Sequence, residues 1–162
     1  MTKQTAPRRK ITMERVYQAA IEDVWDLWTT KEGIESWWGP DGFAVKVREL
    51  DLRAGGQLQY DMIAIAPAQI EFMKKAGMPV TTEARLTYTE VAPRRLLAYE
   101  HLADFIPGVE PYTAATLVEF HPGAHDVRMV LTFEAMHDDL WTQRAVMGWE
   151  SELGKLGRVL KA

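Results

Sequence analysis

A chain of 162 residues, 47% hydrophobic and 26% charged, carries enough apolar material for one buried core and is unlike a disordered composition. A net charge of −4 gives no overall basic field to draw the chain onto nucleic acid. No apolar run reaches the roughly 18 residues that a membrane span needs. With no cysteine, disulfides, thiolate metal sites, iron–sulfur clusters and a cysteine nucleophile all drop out, which suits a cytoplasmic protein. Residues 1–9 are basic but lack the apolar stretch of a secretory signal. They are expected to form a disordered, solvated tail, with one domain over residues 10–162.

Lys10 to Tyr17 reads as a first strand in which neither face is cleanly apolar, as suits a sheet edge. The period then changes. Across Ala20 to Trp28, Val24, Trp25 and Trp28 fall on one helical face, with Glu22 and Asp23 in the first turn, where negative charge suits the helix dipole. A second short helix, Lys31 to Trp37, ends before Gly39-Pro40. From Phe43 to about residue 135 the pattern alternates with period two, broken by Gly and Pro turns, and predicts an antiparallel meander covered on one face. Pro67 to Ala76 interrupts it as an inserted helix of about two turns, with Pro near its start and Gly77 at its end. Asp138 to Lys161 closes the chain as a helix about 35 Å long, with Ala145, Trp149, Leu153, Leu156 and Leu160 in one stripe. Gly148 costs such a helix about 1 kcal/mol relative to Ala, so a strand or ligand is expected close against it, unless the position simply tolerates glycine.

Four segments resemble the successive motifs of one family: Ala19 to Thr29, Ser36 to Phe43, Leu50 to Tyr60, and Gly148 to Leu156. It is the family similar to the C-terminal domain of the activator of the heat-shock protein 90 ATPase, within the START-like superfamily, and the match runs from about residue 10 to residue 160. The resemblance implies an α+β helix-grip fold: a curved antiparallel sheet, two short helices, and a long C-terminal helix over a cavity that often takes a hydrophobic small molecule. In the eukaryotic activator this domain follows a chaperone-binding domain that this sequence does not contain. A chaperone partner therefore stays an alternative to a small hydrophobic ligand, and a homodimer stays open. The insert Ala66 to Gly77 departs from the commoner pattern and is placed to cover the pocket mouth.

Six tryptophans are many for one small domain. Strand parity and aromatic character select Trp38, Tyr60, Met62, Tyr88, Tyr99, His101, Met129 and Trp141 as candidate ligand-binding residues, because ligand pockets are largely apolar and aromatic. Trp25, Trp37 and Trp149 fall on core stripes and are read as core. His101 stands on an inward strand face, where it is either a packed histidine or the acid–base group of a cyclase, hydrolase or dehydratase. His121 and His125 flank a Pro-Gly turn and would need Asp126 or Glu119 to complete a metal site. Glu71 and Arg85 are read as surface residues, with an ion pair or a ligand-carboxylate contact as the alternative. There is no Ser-His-Asp set, HExxH, P-loop or GxGxxG, and Gly55-Gly56 precedes a strand rather than a phosphate-binding helix. No catalytic set, metal or cofactor is therefore assigned.

Overall fold

The computed structural model describes residues 8–161. Strand β1 (Lys10–Tyr17) leads into α1 (Ile21–Thr29) and α2 (Lys31–Trp37), and Thr30 serves both helices. Its N–H donates to Asp26 O at 3.0 Å to close α1, and its hydroxyl accepts from Gly33 N at 3.0 Å to open α2. The corner is tight: a Cβ on Gly33 would lie 2.3 Å from Asp26 O and 2.7 Å from Leu27 Cα, so only glycine lets the second helix start there.

The meander follows as β2 (Phe43–Leu50), β3 (Gln57–Ala64), β4 (Thr81–Ala92), β5 (Leu96–Ala103), β6 (Tyr112–Pro122) and β7 (Val127–Glu134), with α3 (Pro67–Lys75) between β3 and β4. The strands form one seven-stranded sheet in the order β1-β7-β6-β5-β4-β3-β2, antiparallel throughout. Register shifts at Val47/Glu49 and Tyr88/Glu90 break the ladder and raise the local twist, which bends the sheet around its concave face. The Gly55-Gly56 turn docks beside the second shift, with Gly55 N donating to Tyr88 O at 2.7 Å and Tyr88 N to Gly56 O at 2.9 Å.

The concave face is crossed by α4 (Asp139–Lys161), capped by the Asp138 carboxylate, which accepts from Trp141 N at 2.8 Å. At the end of the sheet under α1 and α2, side chains fill the concavity. Trp28 is wholly buried and its ring meets Trp37, Trp38, Phe120 and Trp149 at centroid distances of 4.7 to 6.3 Å. Val118, Leu131, Leu153 and Leu156 pack into the same cluster. Trp25 and Trp37 belong to this core as expected.

Two expectations change. Residues 1–7 of the expected tail lie outside the described residues, but the Arg8 side chain is held rather than solvated, while Arg9 is exposed and tied only through its backbone. Arg8 Nε donates to Ala135 O at 2.7 Å, its guanidinium lies 4.8 Å from the Tyr112 ring centroid, and Arg9 O accepts from Ala135 N at 2.8 Å. Nor does Gly148 meet a close neighbour. A Cβ there would find no protein atom within 4 Å, so the helix tolerates the glycine without a contact that requires it.

Candidate functional site

Where α1 and α2 no longer fill the concave face, the first half of α4 stands off the sheet and leaves a cavity of about 260 Å³. This is slightly below the roughly 300–1,000 Å³ usual for ligand pockets, so it suits a molecule of one or two rings. Tyr60 and Met62 of β3, Leu86 of β4, Tyr99 and His101 of β5, and Thr116 of β6 form the floor. Trp141, Ala145 and Trp149 of α4 form the roof, and Trp38 closes the inner side. The Trp38 ring meets Tyr60 edge-on at 5.4 Å and lies 6.4 Å from Tyr99.

Three charged residues border this aromatic space, Glu152, Arg144 and Glu134, the last of which accepts from Ala115 N at 2.7 Å. Glu152 of α4 accepts from Gly39 N at 2.7 Å through Oε1, while Oε2 takes no hydrogen bond from a described residue. Gly39 adopts a φ of +86°, which favours glycine and turns its N–H toward the helix. Lys155 Nζ donates to Gly39 O at 2.8 Å, and Asp41 N donates to Ser151 Oγ at 2.8 Å. One turn after α2 is thus latched to one stretch of α4, which gives a physical reason for the segments Ser36–Phe43 and Gly148–Leu156 to occur together. Burial pushes the Glu152 carboxyl up to about 7, against the lowering effects of the Gly39 N–H and the Lys155 charge. The second group, Arg144, lies at the mouth, with its guanidinium 4.8 Å from the Trp141 ring centroid and 5.4 Å from that of Phe72 on α3.

Between these charges sits a neutral polar pair, with Tyr60 Oη 3.2 Å from His101 Nε2. Burial lowers the His101 pKa to about 4, only partly offset by Asp104, so the ring is neutral near pH 7. Burial likewise holds the Tyr60 and Tyr99 hydroxyls well above the usual phenol range, with the Glu152 charge adding to both shifts.

Of the candidate residues, the structure brings Trp38, Tyr60, Met62, Tyr99, His101 and Trp141 together around the cavity. Tyr88 and Met129 face inward but do not line it, being 2% and 1% exposed within the core. Each is displaced along its strand toward the filled end: Tyr88 lies two residues beyond the lining Leu86, and Met129 pairs with Phe120 of the Trp28 cluster. Trp149, read as core, both stacks on Trp28 and lines the cavity. Residue-by-residue reading missed Glu152 and Arg144, although spacing offered a signal. Trp141, Ala145, Trp149 and Glu152 recur at helical intervals, so a carboxylate extends an otherwise apolar face.

The remaining candidates lie elsewhere. His121 and His125 are exposed at the β6–β7 hairpin, and no group of three or more potential metal ligands occurs among the described residues. Glu71 and Arg85 are both exposed and do not pair. No residue of α3 lines the cavity, and the insert reaches its mouth only through Phe72 under Arg144. No described helix is long and apolar enough to cross a membrane.

A curved antiparallel sheet gripping a long C-terminal helix, with two short helices after the first strand, defines a helix-grip protein of the START-like class. Within that class, the chain belongs to the family of activator of Hsp90 ATPase homolog 1-like proteins, whose model matches residues 18–161. Similar solved structures include a protein from Chromobacterium violaceum (TM-score 0.77, 22% identity, 94% of this chain and 97% of that one). An AHSA1-like protein from Aeromonas hydrophila is also similar (TM-score 0.71, 20% identity, covering 94% and 92%). So is an AHSA1 protein from Silicibacter pomeroyi (TM-score 0.72, 20% identity, covering 94% and 98%). At these identities the likeness establishes the fold alone. No curated protein matches the chain.

Proposed function

We propose that the protein binds a small, largely apolar molecule in the cavity between α4 and the sheet. The observation that carries this reading is the unequal filling of one concave face: packed around Trp28 at one end, open and aromatic-lined at the other. Apolar space of this kind gains free energy by accepting apolar surface, at about 25 cal/mol per Å² removed from water. The test is isothermal titration against a panel of one- and two-ring molecules, with native mass spectrometry of the freshly purified protein. Saturable one-to-one binding that is lost in Ala145→Trp, which fills the roof, supports the proposal. Binding to none of the panel at millimolar concentration rejects it.

The Tyr60–His101 pair inside the cavity supports a second reading, an enzyme of the cyclase, hydrolase or dehydratase type in which this pair moves a proton. It requires His101→Ala to abolish turnover while ligand affinity is retained. Turnover unchanged in that variant would remove the reading.

A further inference from the structure

We infer that the ligand carries a basic nitrogen, an amine on a one- or two-ring apolar body, held by the Glu152 carboxylate against the aromatic wall of the cavity. The inference rests on the binding reading above and names its ligand class.

Glu152 is the acidic group at the aromatic end of the cavity. Its Oε1 is committed to Gly39 N, and its Oε2 is left for an occupant. No described cation lies within 4.0 Å of it. A carboxylate bordering apolar space is costly when charged and unpaired, and a cation delivered by the ligand removes that cost. The surrounding rings favour the same charge. Trp149 stands one helical turn before Glu152 on α4, Trp38 directly precedes the Gly39 that Glu152 holds, and Tyr60 and Tyr99 are close enough to feel its charge. Indole and phenol faces attract ammonium groups.

The other charged groups nearby are engaged elsewhere. Lys155 donates to Gly39 O at 2.8 Å, so that its charge reaches Glu152 without forming an ion pair with it, and Asp41 pairs with Arg158 at 3.2 Å. Glu134 of β7, also on the cavity wall, accepts from Ala115 N at 2.7 Å and lies 3.8 Å from Arg8. Arg144 is spread over Trp141 and Phe72 at the mouth, where it disfavours a second cation and so orients the amine inward. His101 and the two tyrosines are neutral near pH 7.

The experiment compares 2-phenylethylamine, propylbenzene, 2-phenylethanol and phenylacetate by isothermal titration at pH 8 and pH 5. The wild type is expected to bind the amine at least about tenfold more tightly than propylbenzene at pH 8, to lose that preference at pH 5 as Glu152 takes up a proton, and to bind phenylacetate weakest. Glu152→Gln, which keeps an acceptor for Gly39 N, is expected to bind propylbenzene like the wild type and to lose the amine preference; Glu152→Asp restores part of it. Equal binding of amine and propylbenzene, tighter binding of the alcohol or the acid, or an amine preference that survives in Glu152→Gln overturns the inference while leaving the binding reading in place. Failure of all four probes to bind overturns both. The pH comparison on the wild type decides the matter even where the Gln variant folds poorly.

Discussion

Glu152 and His101 place opposite demands on the folded state as pH changes. The folded protein keeps the Glu152 proton up to about pH 7, whereas an ordinary glutamate releases it near 4.5. The folded state therefore binds more protons in that window, and this group makes stability fall as pH rises from about 4.5 to about 7, with no further change above. His101 behaves the other way. It stays neutral in the fold down to about pH 4, while an ordinary histidine takes a proton near 6.5. Its contribution is complete above about 6.5 and is lost as pH falls toward 4. Because the two slopes oppose each other, the wild type alone reveals neither, but Glu152→Gln isolates one of them. Urea midpoints from pH 4.5 to 8 should show the variant gaining on the wild type up to about pH 7 and holding a constant lead beyond. A lead that does not vary with pH would show that the Glu152 carboxyl is not perturbed. Two glycines test backbone packing at the same scale. Gly33→Ala drives a Cβ into the α1 backbone and is expected to cost about 1–3 kcal/mol in a denaturant titration. Gly148→Ala meets open space in a helix interior and should stabilise by about 1 kcal/mol.

At the scale of elements, α4 does three things along one length. Its first half roofs the cavity with Trp141, Ala145 and Trp149, its middle latches the Gly39–Asp41 turn, and Leu153 and Leu156 complete the core. The Leu153 carbonyl also accepts from Tyr17 Oη at 3.0 Å, which ties the helix to the edge strand β1. Desolvation of that hydroxyl pushes its pKa up to about 12. Tyr17→Phe should cost about 1 kcal/mol by chemical denaturation, the usual worth of one such bond. These elements were largely legible in the sequence, because side-chain period reports which face of a strand or helix is covered. Period does not report what covers a given stretch of that face. Tyr88 and Tyr99 sit directly opposite each other with the same inward parity, yet only Tyr99 reaches the cavity. What separates them is tertiary packing above the sheet, which encloses Tyr88 in the core and has no local signature. Glu152 escaped for a related reason: a carboxylate beside a helical stripe reads as solvated until the partner that buries it, the Gly39 turn, is brought 113 residues along the chain to meet it.

At the scale of the whole molecule, stability and binding are assigned to different ends of one concave surface. The filled end turns on Trp28, fully buried and ringed by four aromatic partners. Trp28→Ala should cost about 3–5 kcal/mol in a urea titration, a large share of the roughly 5–15 kcal/mol that holds a domain together. The open end shares Trp38 and Trp149 with that cluster, but Ala145 of its roof is only partly buried, so a substitution that narrows the cavity there, such as Ala145→Trp, should alter binding more than folding. The central claim, that the open end is a binding site, is tested most directly by titrating the ¹⁵N-labelled protein with propylbenzene and following the tryptophan indole N–H signals by NMR. The account predicts saturable shifts for the indoles of Trp141 and Trp149 on the cavity wall and none for Trp25, on the far side of the core. Unmoved indoles at the solubility limit of propylbenzene, or shifts confined to the backbone amides of Thr89 and Ala98 on the outer face of the sheet, would contradict it.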